Sequence, residues 1–256
     1  DYGKCVETVK CPVCTLIQPK YNLNQEIIAK FYKNLSDNSY LISSSQRGES
    51  NFNQVIKIIK KNKELENLNV LEVGAGTGNL LFRLKKHVKS VVGIEPNKEF
   101  CEFSKKNYGV NLINDNFNSN NFDEKFDVII ALDVIEHFTS IQSFMNSIDS
   151  VLKENGVVIL STPNIGSITA KVLNKKWWHI RPMHLFYFND KCFKIFIEKS
   201  NFKLISKSYF KWNFPISYVL KNLQKLIFNK VYLSFSFLKF SININTFDSR
   251  IYAIKK

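Results

Sequence analysis

Between residues 69 and 161 the chain alternates between short apolar runs and helical stripes, and this rhythm constrains its fold more than any other feature. Apolar runs of strand length stand at 69–73, 90–94, 110–113, 126–131 and 156–161. Helical patterns at 78–87, 97–107 and 140–153 lie between them. Runs that are apolar throughout are strands buried on both faces, and the alternation calls for a parallel sheet covered by helices on both sides. The stripe Ile141, Phe144, Met145, Ile148, Val151 and Leu152 is read as core.

The first strand-to-helix turn carries the most chemistry. It reads Val70-Leu71-Glu72-Val73-Gly74-Ala75-Gly76-Thr77-Gly78, with glycines where the backbone must approach a ligand closely. A dinucleotide fingerprint spaces its glycines G-x-G-x-x-G, whereas here the third comes one residue early. Glu72 stands two residues before the first glycine. A carboxylate there repels a pyrophosphate and attracts a ligand carrying an ammonium and a sulfonium, which favours S-adenosylmethionine over NAD. An NAD-binding oxidoreductase is the weaker alternative. Glu95 ends the run at 90–94, where an acid can accept from both ribose hydroxyls. It could instead cap the helix that starts near Pro96.

Five blocks then carry a family resemblance: L-E-V-G-A-G-T-G-N at 71–79, V-G-I-E-P-N at 92–97, N-D-N-F at 114–117, F-D-V-I-I-A-L-D-V-I-E-H-F at 126–138 and G-V-V-I-L-S-T-P-N at 156–164. Their order and spacing resemble the class I S-adenosylmethionine-dependent methyltransferases, in the small-molecule group that includes ubiquinone-biosynthesis and sugar methyltransferases. The resemblance implies an α/β Rossmann-like fold with a seven-stranded, mostly parallel sheet of order 3-2-1-4-5-7-6, the last strand antiparallel. It implies a cofactor site made of Glu72, Gly74, Ala75, Gly76, Gly78, Glu95 and Pro96. Asp115 would accept from the adenine amino group, while Asn116 and Phe117 offer backbone and an apolar face to the ring. Ala131, Leu132 and Asp133 would line the methionine end. The usual Gly-Asp before the adenine is Asn114-Asp115 here. Glu136 and His137 carry over to the substrate side. His184 lies in a P-x-H-L-x-x-F run that resembles the family's loop, although Asn189 stands where Ser or Thr often opens the next helix.

Methyl transfer from a sulfonium needs alignment and dry surroundings, and a base only if the acceptor must lose a proton. His137, His179 and His184 are the possible bases; His87 ends a helix and is read as solvated. His137 and His184, with Glu136, are the catalytic candidates. Each has a bland alternative, His137 orienting the next loop and His184 pinning its own.

Residues 164–186 break the rhythm with Trp177-Trp178-His179-Ile180-Arg181-Pro182-Met183-His184, at the carboxyl edge where open α/β sheets bind ligands. Together with the aromatic, Lys-dotted stretch 212–243 they are assigned to the acceptor. Trp177 and Trp178 would stack on a ring, and Arg181 would meet a phosphate or carboxylate. Peripheral membrane contact and a dimer interface are the competing uses of this surface. A helix is expected at 191–200, a strand at 202–210 and a closing strand at 244–254. Helices are also expected at 24–35 and 49–62, lidding the cleft, with a mobile Ser-rich loop at 40–48 between them.

Residues 1–20 hold Cys5, Cys11 and Cys14. The run around Cys11-Pro12-Val13-Cys14 looks like the second half of a zinc ribbon, so a complete four-ligand site would need an upstream Cys pair. A remnant that binds no metal is the alternative. The methyltransferase domain is assigned to 21–256. The opening Asp1, without Met or leader, reads as the start of a piece of a longer chain, and the irregular cysteines point to a reducing cytoplasm.

The formal charge of +14 would ordinarily suggest nucleic acid or an anionic membrane. The lysines are scattered, and an excess of Lys, Asn, Ile and Phe is what an AT-rich genome produces, so the charge is weak evidence. Ala131-Leu132-Asp133-Val134 replaces the N/D-P-P-Y/F of amine-directed enzymes, and there is no Pro-Cys pair for attack on a pyrimidine. RNA, DNA and protein acceptors are therefore disfavoured against a sugar, glycan, lipid-linked or other small molecule. The alternatives are a methyltransferase-fold module that binds without turnover and an RNA or protein methyltransferase.

Overall fold

The computed structural model describes residues 7–21, 23, 38–217, 220, 224 and 241–256. A small antiparallel hairpin, β1 (Thr8–Lys10) with β2 (Ile17–Pro19), opens the described chain. Helix α1 (Asn38–Asn62) precedes β3 (Asn69–Val73), α2 (Asn79–Leu84), β4 (Ser90–Ile94) and α3 (Lys98–Tyr108). Then come β5 (Phe126–Leu132), α4 (Ile141–Val151), β6 (Leu152–Pro163) and α5 (Ile168–Leu173). The chain continues with α6 (Asp190–Glu198), β7 (Lys203–Tyr209), β8 (Trp212–Pro215), β9 (Ser241–Ile244) and β10 (Ser249–Lys255).

The main sheet has six strands in the order β4-β3-β5-β6-β10-β7. β3, β4, β5 and β6 pair in parallel, and β10 runs antiparallel to both of its neighbours. Seven strands were expected. The run at 110–113 contributes only an isolated parallel bridge, Ile94↔Ile113, beyond β4. Two hydrogen bonds hold it: Ile113 N–H donates to Gly93 at 2.8 Å, and Glu95 N–H donates to Ile113 at 2.9 Å. Its flanks, Asn111, Asn114 and Asp115, are exposed, so a longer ladder there would bury no apolar surface.

Alternation along the strands divides the core in two. Leu71, Val73, Ile129 and Ala131 pack with Phe144, Ile148 and Phe193 on the face covered by α4 and α6. Val70, Val128 and Ile130 pack with Val55, Ile59, Leu80 and Leu84 on the face covered by α1 and α2. Burial on both faces explains why these strands read as predominantly apolar runs.

The expected loop at 40–48 is part of α1 instead. A Cβ at Gly48 would fall 1.8 Å from Asn79 Oδ1, so the missing side chain lets α1 lie directly against the start of α2. Tertiary packing of this kind overrides the weak helix propensity of a Ser-rich segment. The helix expected at 24–35 lies outside the described residues. β8 pairs with β9, Trp212 facing Ile244, so the ends of the stretch assigned to 212–243 are joined to each other. The closing strand expected at 244–254 is divided between β9 and β10. Among the described residues no helix is long and apolar enough to cross a membrane.

Candidate active site

The turn after β3 holds Gly74, Gly76 and Gly78 at φ values of +68°, +52° and +70°. L side chains are strained in that region, so the glycines allow a backbone path that other residues resist. Gly74 is also crowded: a Cβ there would lie 2.6 Å from Val134 Cγ2. The turn therefore rests directly against the segment that follows β5.

Glu95, at the end of β4, is buried and holds this turn from beneath. Its Oε2 accepts from Gly76 N–H at 2.8 Å and its Oε1 from Asn97 N–H at 2.9 Å. The helix cap of α3 is Asn97, whose Oδ1 accepts from Phe100 N–H, so Glu95 is not the capping side chain. A carboxylate has about four lone-pair sites, so two remain for other donors. Pro96 follows, its carbonyl accepting from Asn114 Nδ2.

Glu72 lies on the neighbouring strand, 5% exposed, and its Oε2 has no hydrogen-bond partner among the described residues. Burial, with the Glu95 charge second, raises its carboxyl well above the usual range. An orphaned buried carboxylate beside a glycine turn fits a ligand bearing an ammonium group, which would supply the missing donor.

Asp115 is exposed beyond β4; its Oδ1 accepts from Asn116 N–H at 2.7 Å and its Oδ2 from Asn121 Nδ2 at 3.3 Å. Phe117 packs edge-on against Phe138 and Phe144. Asp133 follows half-buried Leu132 in a left-handed conformation at φ +55°. Its N–H donates to Ser161 O at 3.1 Å, and its Oδ1 accepts from Ser161 Oγ at 2.9 Å. Burial pushes its carboxyl up to about 6.

Immediately beyond, a short helical turn at Ile135–His137 meets the loop that carries His184. The Glu136 carbonyl accepts from Leu185 N–H at 2.8 Å and Phe186 N–H at 3.2 Å, which clamps the loop in place. The Glu136 side chain is fully buried beside Thr162, and neither carboxylate oxygen meets hydrogen-bond geometry with a partner among the described residues. His137 Nδ1 lies 2.7 Å from the Met183 carbonyl. The His137 and His184 rings meet edge to face at 4.8 Å between centroids, and His184 stacks with His179 at 5.8 Å. Burial keeps all three imidazoles in their neutral form, lowering His137 to about 4, His179 to about 3 and His184 well below its ordinary value. The Arg181 charge adds to the effect at each. Neutral imidazoles are the form that accepts protons or ligates metals.

Trp177 departs from expectation. It is 1% exposed and its Nε1 donates to Asp248 Oδ2 at 2.8 Å. A ring packed in this way offers no open face for stacking, so Trp177 is a strut of the loop. Trp178 is partly exposed, and exposed Arg181 donates from Nε to the Trp178 carbonyl. Asp248, fully buried, was not anticipated. It accepts from Trp177 and Thr246, and its Oδ2 lies 3.6 Å from His179 Nε2. Asn189 caps α6 with its side chain, as Ser or Thr would.

Cys11 and Cys14 sit at the tip of the hairpin between β1 and β2. Bonds from the Cys14 and Val13 backbone hold the Cys11 thiol below its ordinary range. Among the described residues no third Cys, His or acid joins this pair as a ligand set. The hairpin docks through Thr15, whose Oγ1 accepts from Asn189 Nδ2 at 2.9 Å.

Sheet order, glycine turn and the acid at the end of β4 together define a class I S-adenosylmethionine-dependent methyltransferase, with S-adenosylmethionine as the cofactor of that class. A family model described as a methyltransferase domain matches residues 26–207, and the chain belongs to that family. Among curated proteins it is similar to a ubiquinone biosynthesis O-methyltransferase of Pelagibacter ubique, 28% identical over 160 residues covering 56% of this chain and 66% of that one. A protein of the same name from Rickettsia prowazekii is 32% identical over 116 residues, covering 43% and 46%. The matched stretches thus span under two thirds of these relatives' own lengths. Among solved structures, the fold is similar to magnesium protoporphyrin IX methyltransferase of Synechocystis, with TM-score 0.56, 14% identity and coverage of 92% and 95%. A methyltransferase from Archaeoglobus fulgidus gives TM-score 0.56 at 16% identity, covering 86% and 100%.

Proposed function

We propose that this chain methylates a hydroxyl oxygen of a small molecule that carries an apolar ring or tail, using S-adenosylmethionine. The observation that carries this reading is the buried polar cluster of Glu136, His137 and His184. It lies two residues past Val134, which itself abuts Gly74 of the cofactor turn.

In this reading the cofactor, when bound, supplies an electrophilic methyl group on a sulfonium. Gly74, Ala75, Gly76 and Gly78 let the backbone approach it. Glu95 keeps its hold on Gly76 and accepts from the ribose hydroxyls, Asp115 accepts from the adenine amino group, and Phe117 flanks the ring. Glu72 receives the ammonium. Leu132 and Asp133 line the methionine end, and Glu136, His137 and His184 receive the acceptor hydroxyl. Arg181 and Trp178 stand at the rim.

Three features favour an apolar acceptor over a glycan. Buried neutral imidazoles make a dry site; the burial of Trp177 removes one of the two expected stacking platforms; and the curated relatives are named for ubiquinone biosynthesis. A lipid-linked acceptor and peripheral membrane contact draw support from α5, where Ile168 and Val172 are 78% and 76% exposed beside Lys171.

Radiolabelled methyl transfer tests the reading with three acceptor sets: polyprenylated phenols in detergent, nucleotide sugars, and bulk RNA. Label is expected in the phenols. Label in sugars or RNA instead would overturn the acceptor assignment. Tight S-adenosylhomocysteine binding with no transfer to any set would leave a binding module.

A further inference from the structure

We propose that Cys11 and Cys14 are a dithiol that exchanges with low-molecular-weight disulfides, closing a Cys11–Cys14 bridge at the tip of the β1–β2 hairpin. The turn brings the two side chains together. Thr15 N–H donates to the Cys11 carbonyl at 2.9 Å, and Cys11 N–H donates to the Leu16 carbonyl at 2.8 Å. The first bond closes a single helical turn, on which residues three apart are neighbours with Cβ atoms roughly 5–6 Å apart. A disulfide needs roughly 3.5–4.5 Å, so the turn has to tighten by about 1–2 Å. Its tip projects from the protein, with Pro12 exposed and Val13 67% exposed.

The two sulfurs are not equivalent. The Cys14 and Val13 backbone and the Cys14 side chain bond to the Cys11 sulfur, contacts that favour its thiolate. Cys14 packs partly buried against the core beneath α6, as the shielded member of the pair. The other described cysteines compete poorly. Burial pushes the Cys101 and Cys192 thiols up to about 11, and Cys192 is 3% exposed. Because the thiolate is the attacking species, the chemistry falls to Cys11. A structural zinc ion takes four ligands, and among the described residues no third Cys, His or acid stands with this pair. Two thiols are all that a disulfide requires.

The Cys11 thiolate attacks one sulfur of a small disulfide, forming a mixed disulfide and releasing one small thiolate, which takes up a proton. The Cys14 thiol gives its proton to water and attacks the Cys11 sulfur, releasing the second small thiolate. The two cysteines together lose two electrons and two protons, and the small disulfide is reduced to two thiols.

The bridge acts beyond the tip. Thr15 is held at φ +65°, a strained conformation for a β-branched residue, and its Oγ1 accepts from Asn189, the cap of α6. Tyr187 N–H donates to the Ile17 carbonyl at 2.9 Å, and Ile17 N–H donates to the Tyr187 carbonyl at 3.3 Å. Ile17 also packs against the cluster of Ala170, Trp177 and Tyr187. The hairpin is thus a strut of the loop after β6. Drawing Cys14 toward Cys11 pulls Thr15 from Asn189 and loosens that strut.

The test is equilibration of the full chain with glutathione disulfide, read by thiol counting, intact mass and peptide mapping. Two thiols should disappear, the mass should fall by two hydrogens, and the bridge should map to Cys11 and Cys14 and reopen in excess glutathione. Iodoacetamide at neutral pH should alkylate Cys11 at least ~10-fold faster than Cys101 or Cys192. Cys14→Ser should stop at a glutathione adduct on Cys11, and Cys11→Ser should leave Cys14 unmodified. Cys5→Ser, at a position outside the described residues, should still bridge. Amide hydrogen exchange at Ile17 and Tyr187 should quicken at least ~10-fold on oxidation. A lasting adduct on the parent chain, a bridge to Cys5 or no reaction would overturn the proposal. So would one equivalent of copurifying zinc that shields Cys11 until a chelator removes it. Unchanged exchange at both amides would overturn the coupling to the loop. No readout uses cofactor or acceptor, so the outcome is independent of the methyltransferase reading.

Discussion

Replacing Glu72 by Gln tests the cofactor site through the charge that the fold leaves uncompensated. Glu72 is 5% exposed with an Oε2 unpartnered among the described residues, and Glu95, close enough for its charge to act on it, is held by Gly76 and Asn97. Burial raises the Glu72 carboxyl in the folded state above its unfolded value of about 4.3. A raised acid binds its proton more tightly when folded. Its stabilising contribution is therefore complete below the unfolded pKa and is lost as pH rises through the folded pKa, at about 1.4 kcal/mol per unit. Gln keeps the shape and cannot ionise, so without ligand the variant should escape that loss. An ionised buried carboxylate lacking a partner costs at least a few kcal/mol; allowing for partial water access, a gain of about 1–3 kcal/mol is expected at pH 8. For a chain of this size that is roughly 2–10 °C in melting temperature. The ligand effect has the opposite sign. A hydrogen bond to a charged group contributes about 1.5–3 kcal/mol, so S-adenosylhomocysteine should bind ~10- to 150-fold more weakly. Scanning calorimetry from pH 5 to 9, without and with ligand, measures both. A variant less stable than the parent at pH 8, with unchanged ligand affinity, would show that Glu72 is a paired structural acid and refute the reasoning.

Gly76→Val should abolish cofactor binding, because a β-branched residue at φ +52° is strained and its side chain enters the ligand turn; equilibrium dialysis with labelled cofactor checks this. Asp248→Asn replaces the buried acceptor of Trp177 and Thr246, and should destabilise the fold by about 1–3 kcal/mol in urea melts with a changed Trp fluorescence. An unaltered midpoint would remove Asp248 as the anchor of the loop. Trp178→Ala at the rim should raise the acceptor KM with less effect on kcat, whereas Trp177→Ala should lower stability by about 3–5 kcal/mol as a buried truncation does. Paired urea melts and acceptor kinetics separate the two, and equal behaviour would contradict their assignment to rim and interior.

Local pattern determined much of this protein. The runs at 69–73, 90–94 and 126–131 are strands with side chains buried on both faces, which is written into most positions of each run. The turn at 74–78 was legible because three left-handed conformations in five residues call for glycine. Glu72 and Glu95 followed from their offsets to that turn. Other features depended on partners far along the chain. The segment 40–48 reads as a loop by composition, yet it is the start of α1, where Gly48 lies against Asn79. The run at 110–113 reads as a strand, but at the sheet edge its polar flanks support no ladder. Trp177 looked like an open platform until Asp248, 71 positions away, took its indole nitrogen. His137 and His184 were each legible by motif, but no spacing rule joins residues on different loops. Their meeting with Glu136 is decided by the chain's return over the carboxyl edge of the sheet, where packing, rather than sequence proximity, selects which polar atoms share one dry volume.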